Sequence, residues 1–205
     1  MGIRMKVIGI TGGVGAGKTA LLAYMKEHYR CRVILADEVA HQVEEPGQAC
    51  YQELVKLLGN EILNPDGTID KKRMADKIFA GSAILEQVND IVHPAVKEYI
   101  LREIAQSRRE EKEDFFFVEA ALLIEGGYGE ILDELWYIHA REDIRRSRLR
   151  AGRAYSDEKI DRILKEQLSE KEFRRHCGVV IDNSGSLAEA CQQIDKKLGE
   201  YLCQK

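Results

Sequence analysis

Gly12-Gly-Val-Gly-Ala-Gly-Lys-Thr19 completes the pattern G-x-x-x-x-G-K-[ST]. A loop of this kind needs a strand ahead of it and a helix behind it, so it constrains the fold before any other feature is read. Its glycines let the backbone take positive φ and turn N–H groups inward onto a phosphate chain. Lys18 is spaced to reach the β- and γ-phosphates, and the Thr19 hydroxyl to ligate a hard cation such as Mg²⁺. Lys6-Val-Ile-Gly-Ile-Thr11 reads as a short buried strand entering the loop. Ala20-Leu-Leu-Ala-Tyr-Met25 reads as the first turns of an amphipathic helix leaving it, with Leu21, Leu22 and Met25 on its apolar face. The helix N-terminus adds partial positive charge to the same anion site. A glycine-rich turn that binds nothing is the alternative, and the flanking strand and helix weigh against it. The expected nucleotide-binding set is Gly13, Val14, Gly15, Ala16, Gly17, Lys18, Thr19 and Ala20.

A chain of 205 residues is expected to form one domain, or a core with an inserted subdomain. Its net charge of −4 gives no global attraction to nucleic acid or anionic membrane. Cys31, Cys50, Cys177, Cys191 and Cys203 are scattered, odd in number and without a C-x-x-C pair. That usage fits a reduced cytoplasmic compartment and argues against a zinc site or a disulfide framework. The strongest apolar stretch, Phe115 to Ile124, is interrupted by Glu119 and falls short of the ~18 residues of a membrane span. Met1 to Met5 lacks an apolar signal region, and Lys6 breaks the myristoylation pattern. The expectation is a cytoplasmic protein, a monomer or weak oligomer, with a small-molecule partner and neither nucleic acid nor membrane.

Apolar, β-rich stretches recur between helical patterns at Val7–Ile10, Arg32–Leu35, Phe115–Val118, Leu135–His139 and Gly178–Ile181. This alternation predicts an α/β fold with a mostly parallel five-stranded sheet. Two regions depart from it. Pro46 to Ser107 is helical in character, with Tyr51–Leu58, Lys71–Phe79 and Ala95–Ala105 as its clearer segments. Turns are expected at Asn64-Pro-Asp-Gly67 and at His93-Pro94. Arg141 to Arg175 is dense in arginine. The expected division is a core of residues 1–45, 108–140 and 177–205, a helical insertion of residues 46–107, and a helical lid of residues 141–176.

Several residues outside the loop carry candidate chemistry. Asp37 follows the second strand, and groups at the carboxyl ends of such strands face the ligand crevice. It could accept the proton of an attacking hydroxyl, help hold Mg²⁺, or simply cap a helix over Glu38–Val43. Glu119 and Glu125, at and just after the third strand, could hold a metal's water shell or act as caps. Arginines at 141, 145, 146, 148, 150 and 153 could bring guanidinium groups onto a transferring phosphoryl, or form a solvated basic helix. His93 alone reads as a turn or packing residue. Asn183, after the last strand, could belong to a turn or read the edge of adenine.

Together these stretches resemble the dephospho-CoA kinase family over nearly the whole chain, from Val7 to about Leu198. Thr11 to Thr19 is similar to its T-G-G-[IV]-G-[SA]-G-K-[ST]. Ala36-Asp37, Ala40 and Glu45-Pro46-Gly47 resemble its A-D-x-[IV]-A-x-x-[VL]-x-x-P-G stretch. Leu63 with Asp66-Gly67, Leu85 with His93-Pro94, and Leu122-Leu123-Ile124-Glu125 resemble further elements. So do Arg148-Leu149, Arg153, Ser156 and Gln167, and the closing Val180 to Gly185.

The resemblance implies a three-layer P-loop fold with an inserted acceptor-binding domain and a lid. It implies ATP with Mg²⁺ as donor and the ribose 3′-hydroxyl of dephospho-CoA as acceptor. Carried over, Asp37 would be the catalytic base, Lys18 the phosphate clamp and Thr19 the metal ligand. Arg148 and Arg153 would be lid arginines, and Asn183 would lie near adenine. Asp37, His41, His93, Leu122 and Glu125 would contact the acceptor. Three positions depart from the family pattern: Leu35 replaces the first Asp of D-A-D, His41 a commoner basic residue, and Ala121 the Pro of P-L-L. A P-loop kinase acting on a nucleoside or nucleoside monophosphate, and a non-catalytic nucleotide-binding regulator, are the alternative readings.

Overall fold

The computed structural model describes residues 5–79, 81–120, 123–124 and 126–203. The chain divides into two compact units, one of residues 1–33 and 106–205 and the other of residues 34–105. The strands are β1 (Lys6–Thr11), β2 (Cys31–Leu35), β3 (Phe115–Glu119), β4 (Glu134–His139) and β5 (Val179–Asp182). Each lies within a residue or two of its sequence expectation.

They form one sheet in the order β2-β3-β1-β4-β5. β1 runs parallel to β3 and β4, with Gly9 opposite both Val118 and Leu135, and β4 runs parallel to β5. Phe115, Phe116, Phe117 and Val118 are all buried, as befits an inner parallel strand covered on both faces. The chain leaves β1 toward β2 on one side and crosses to β4 on the other. The carboxyl ends of β1, β3 and β4 therefore border the topological switch point where such sheets bind ligands.

In the first unit the helices are α1 (Lys18–His28), α6 (Glu142–Arg153), α7 (Asp157–Glu166), α8 (Glu170–His176) and α9 (Leu187–Leu202). In the second they are α2 (Ala36–Val43), α3 (Ala49–Leu58), α4 (Lys71–Phe79) and most of α5 (Ser82–Glu110). Ser169 and Ser186 start α8 and α9 with full capping boxes, each paired with a glutamate three residues on. Tyr137 on β4 stacks on Phe173 of α8 at 4.7 Å between ring centroids, which fixes α8 against the sheet.

Two local expectations are corrected. His93-Pro94 does not break the chain; it lies inside α5. Proline removes one helical hydrogen bond, here to the Asp90 carbonyl. Asp90, His93 and Pro94 are all exposed, so water can take the freed carbonyl. Val88, Val92, Val96, Ile100 and Ile104 meanwhile keep a buried stripe at four-residue spacing along the helix. Burial of that stripe outweighs the lost bond. Asp37 is not an N-cap either. α2 starts at Ala36, with Leu35 in the cap position, and Asp37 and Glu38 occupy its first turn, where carboxylates suit the helix dipole.

Candidate active site

The loop after β1 has little room for side chains. Gly12 has φ +146°, and a Cβ there would overlap the carbonyl oxygen of Ile138 on β4. Gly17 has φ +89° and is the residue from which α1 starts, with no side-chain cap. A Cβ on Gly17 would overlap the Asn183 amide. Both positions therefore require glycine for backbone conformation and for close approach. Ala16 N–H donates to the Gly13 carbonyl at 3.1 Å and closes the turn.

Lys18 folds back over this loop. Its Nζ donates to the Gly12 carbonyl at 2.8 Å and lies 3.3 Å from Glu119 Oε1, with both side chains mostly buried. Glu119, at the end of β3, is thus the ionic partner of the loop lysine. Thr19 and Ala20, in the first turn of α1, are exposed. Thr19 thus follows the loop lysine directly and is open to solvent.

The arginines of α6 separate into two faces. Arg141 pairs with Asp143, Arg146 with Glu142 and Asp161, and Arg150 with Asp157. Arg153 lies over the Tyr155 ring at 5.9 Å. Arg145 and Arg148 instead flank the buried Leu149 and turn to the phosphate loop. Arg145 Nε donates to the Val14 carbonyl at 2.9 Å, and its Nη2 donates to Gln167 Oε1. Arg148 donates to the Ala16 carbonyl at 3.3 Å and to the Asn183 carbonyl at 2.9 Å. Spacing in the sequence sorts all but one of them: 145, 148 and 149 share one helical face and 142, 146, 150 and 153 another, whereas Arg141, four residues before Arg145, pairs with Asp143. Without that sorting, the attachment of Arg145 to the loop was missed.

Asn183 is buried, and its Nδ2 donates to the Ala16 carbonyl at 2.8 Å. Its Oδ1 is buried with no hydrogen-bond partner among the described residues. The structure therefore brings together residues 12–19, Glu119, Arg145, Arg148, Gln167 and Asn183 within the first unit. Asp37, His41 and His93 belong to the second. There His41 Nδ1 lies 3.9 Å from Glu44 Oε2, and His93 is exposed on α5. Leu122 and Glu125, like Ala121, lie outside the described residues.

The parallel sheet, its switch point and this lysine-bearing loop place the chain among the P-loop kinases. Residues 6–189 match the family model described as dephospho-CoA kinase, and the chain belongs to that family. A dephospho-CoA kinase of Aquifex aeolicus is 35% identical over 97% of this chain and 98% of its own. One of Dehalococcoides mccartyi is 32% identical over 88% and 89%. The solved dephospho-CoA kinase of Campylobacter jejuni shares the fold at a TM-score of 0.70, with 21% identity over 95% of this chain and 96% of that one.

Proposed function

We propose that the protein transfers the terminal phosphoryl group of ATP to the ribose 3′-hydroxyl of dephospho-CoA, releasing coenzyme A and ADP. The observation that carries this is the family match across residues 6–189, which includes an intact phosphate loop. The Gly15 and Gly17 N–H groups have no acceptor among the described residues and are available to phosphate oxygens. Lys18 exchanges its Gly12 and Glu119 contacts for the β- and γ-phosphates.

Mg²⁺ fits the residues present. Thr19, in the first turn of α1, is an exposed residue that carries a hydroxyl oxygen, the ligand type a hard cation takes. Such an ion would be held by Thr19 together with substrate oxygens and water. When bound there it would supply neutralisation of the charge on the phosphate chain.

Asp37 is the base that aligns the acceptor hydroxyl and takes its proton. Leu35, two residues ahead, leaves Asp37 as the one aspartate of that D-A-D position. His41, His93, Leu122 and Glu125 contact the acceptor, which the helical insertion selects. Residues 141–176 act as the lid, with Arg148 and Arg153 as its arginines, and closure keeps water from taking the phosphoryl group. The enzyme works in the cytoplasm, as a monomer or weak oligomer. A coupled ADP-release screen tests acceptor choice. Turnover is expected with dephospho-CoA above any nucleoside or nucleoside monophosphate, and faster turnover with a nucleotide contradicts the assignment.

A further inference from the structure

The phosphate loop is held from its carbonyl side by two guanidinium groups, those of Arg145 and Arg148, neither of which forms an ion pair with a carboxylate among the described residues. Peptide units here are trans and planar, with C=O and N–H pointing in opposite directions. The carbonyl of Val14 and the N–H of Gly15 belong to one such unit; the carbonyl of Ala16 and the N–H of Gly17 belong to another. Arg145 donates to the first carbonyl at 2.9 Å and Arg148 to the second at 3.3 Å, where Asn183 also donates. The paired N–H groups, without acceptors among the described residues, therefore point away from the guanidinium groups and into the cradle.

We propose that Arg145 is a positioning residue for phosphate: through the Val14–Gly15 peptide it orients and polarises the Gly15 N–H, with Gln167 holding its guanidinium in place. A cation at the oxygen end of a peptide draws electron density from its N–H, which strengthens that donor. The effect is largest where charge is poorly solvated and fixed in advance. Arg145 meets that condition. Its guanidinium lies so close to Gly13 that a Cβ there would overlap it, and the carbonyl and Cα of Arg145 itself pack on Gly15. Burial presses its pKa below the ordinary arginine value. Its hydrogen-bond acceptors, a backbone carbonyl and a side-chain amide, are uncharged, and the Glu142 carboxylate acts on it only through space. The four other arginines at 141, 146, 150 and 153 lack this arrangement, being engaged with carboxylates or a ring.

The test separates charge from mere bracing, and needs no acceptor, so its failure is distinct from failure of the dephospho-CoA reading. Binding of inorganic tripolyphosphate and of ATP is measured by calorimetry on the whole chain, beside the melting temperature. Arg145→Lys keeps a cationic donor and should bind tripolyphosphate within about threefold of wild type. Arg145→Gln keeps a neutral donor and should bind it about tenfold more weakly, with ATP affected alike. Gln167→Glu keeps the clamp but cancels its charge. It should hold or raise the melting temperature and still weaken tripolyphosphate about fivefold. Unchanged affinity in Arg145→Gln overturns the proposal. So does a loss in Arg145→Gln with full affinity in Gln167→Glu, which would make Arg145 a brace alone.

Discussion

Replacing Asn183 with alanine asks whether its amide holds the phosphate loop or reads the nucleotide base. The side chain is 2% exposed, and its Nδ2 donates to the Ala16 carbonyl at 2.8 Å. Removing that bond costs about 1 kcal/mol, since Arg148 still serves the same carbonyl. Lost packing of a small buried group adds about 1 kcal/mol. Against this, Asn183→Ala also removes a buried, unpartnered Oδ1, which returns about 1 kcal/mol of desolvation cost. The net loss is therefore about 1 kcal/mol, or roughly 2–4 °C in Tm for a chain of this size. The loosened loop should bind ATP, GTP and tripolyphosphate more weakly by a common factor of about five, because the amide acts on the backbone and not on the base. Thermal melts and calorimetry with the three ligands give the answer. Intact tripolyphosphate binding together with a lost preference for ATP over GTP would refute the bracing role and make Asn183 a base reader.

Three further substitutions probe other parts of the molecule. Lys18→Ala should abolish turnover in a coupled ADP assay while circular dichroism stays native, and wild-type rates would sink the phosphate-clamp role. Asp37→Asn should lower kcat by about 10²–10⁴-fold with ATP affinity retained, the usual scale for a positioned base; unchanged turnover would leave Asp37 a first-turn helix charge. Glu134 is partly buried, which by itself raises its pKa. Hydrogen bonds from Tyr201, Trp136 and Lys6 outweigh that and hold it below the usual carboxylate range. A depressed carboxyl stabilises the fold above its unfolded pKa of about 4.3 and loses that contribution as pH falls through the folded value. Glu134→Gln should therefore be less stable at neutral pH yet flatter below about pH 5, and parallel Tm profiles for the two proteins would exclude this linkage.

Cysteine reactivity checks the core independently. Burial pushes the Cys31, Cys50 and Cys177 thiols up to about 11, whereas Cys203 is exposed. Alkylation at pH 8 followed by peptide mass spectrometry should modify Cys203 first; early labelling of Cys50 or Cys177 would contradict their packing.

The loop and the strands were legible because their signals are local. A glycine pattern and runs such as Phe115 to Val118 need no knowledge of distant contacts. Continuity of α5 was not legible. Pro94 is a strong local breaker, and only the burial of Val88, Val92, Val96, Ile100 and Ile104 along one face overrides it. The arginine-rich stretch was visible as charge, but the destination of each guanidinium depends on groups distant in sequence. Arg146 reaches Asp161, and Arg145 reaches Val14 and Gln167. Glu119 invited a metal-binding reading from its place after a strand; its pairing with Lys18 is a consequence of β1 and β3 lying side by side.

Mass spectrometry of the product formed from ATP and dephospho-CoA, with the new phosphate located by phosphorus NMR, tests the central claim most directly. One phosphoryl group on the ribose 3′-hydroxyl, with one ADP released per product, is the expected result. ATP consumed without any gain of mass by dephospho-CoA, or ATP bound and left intact in its presence, would contradict it.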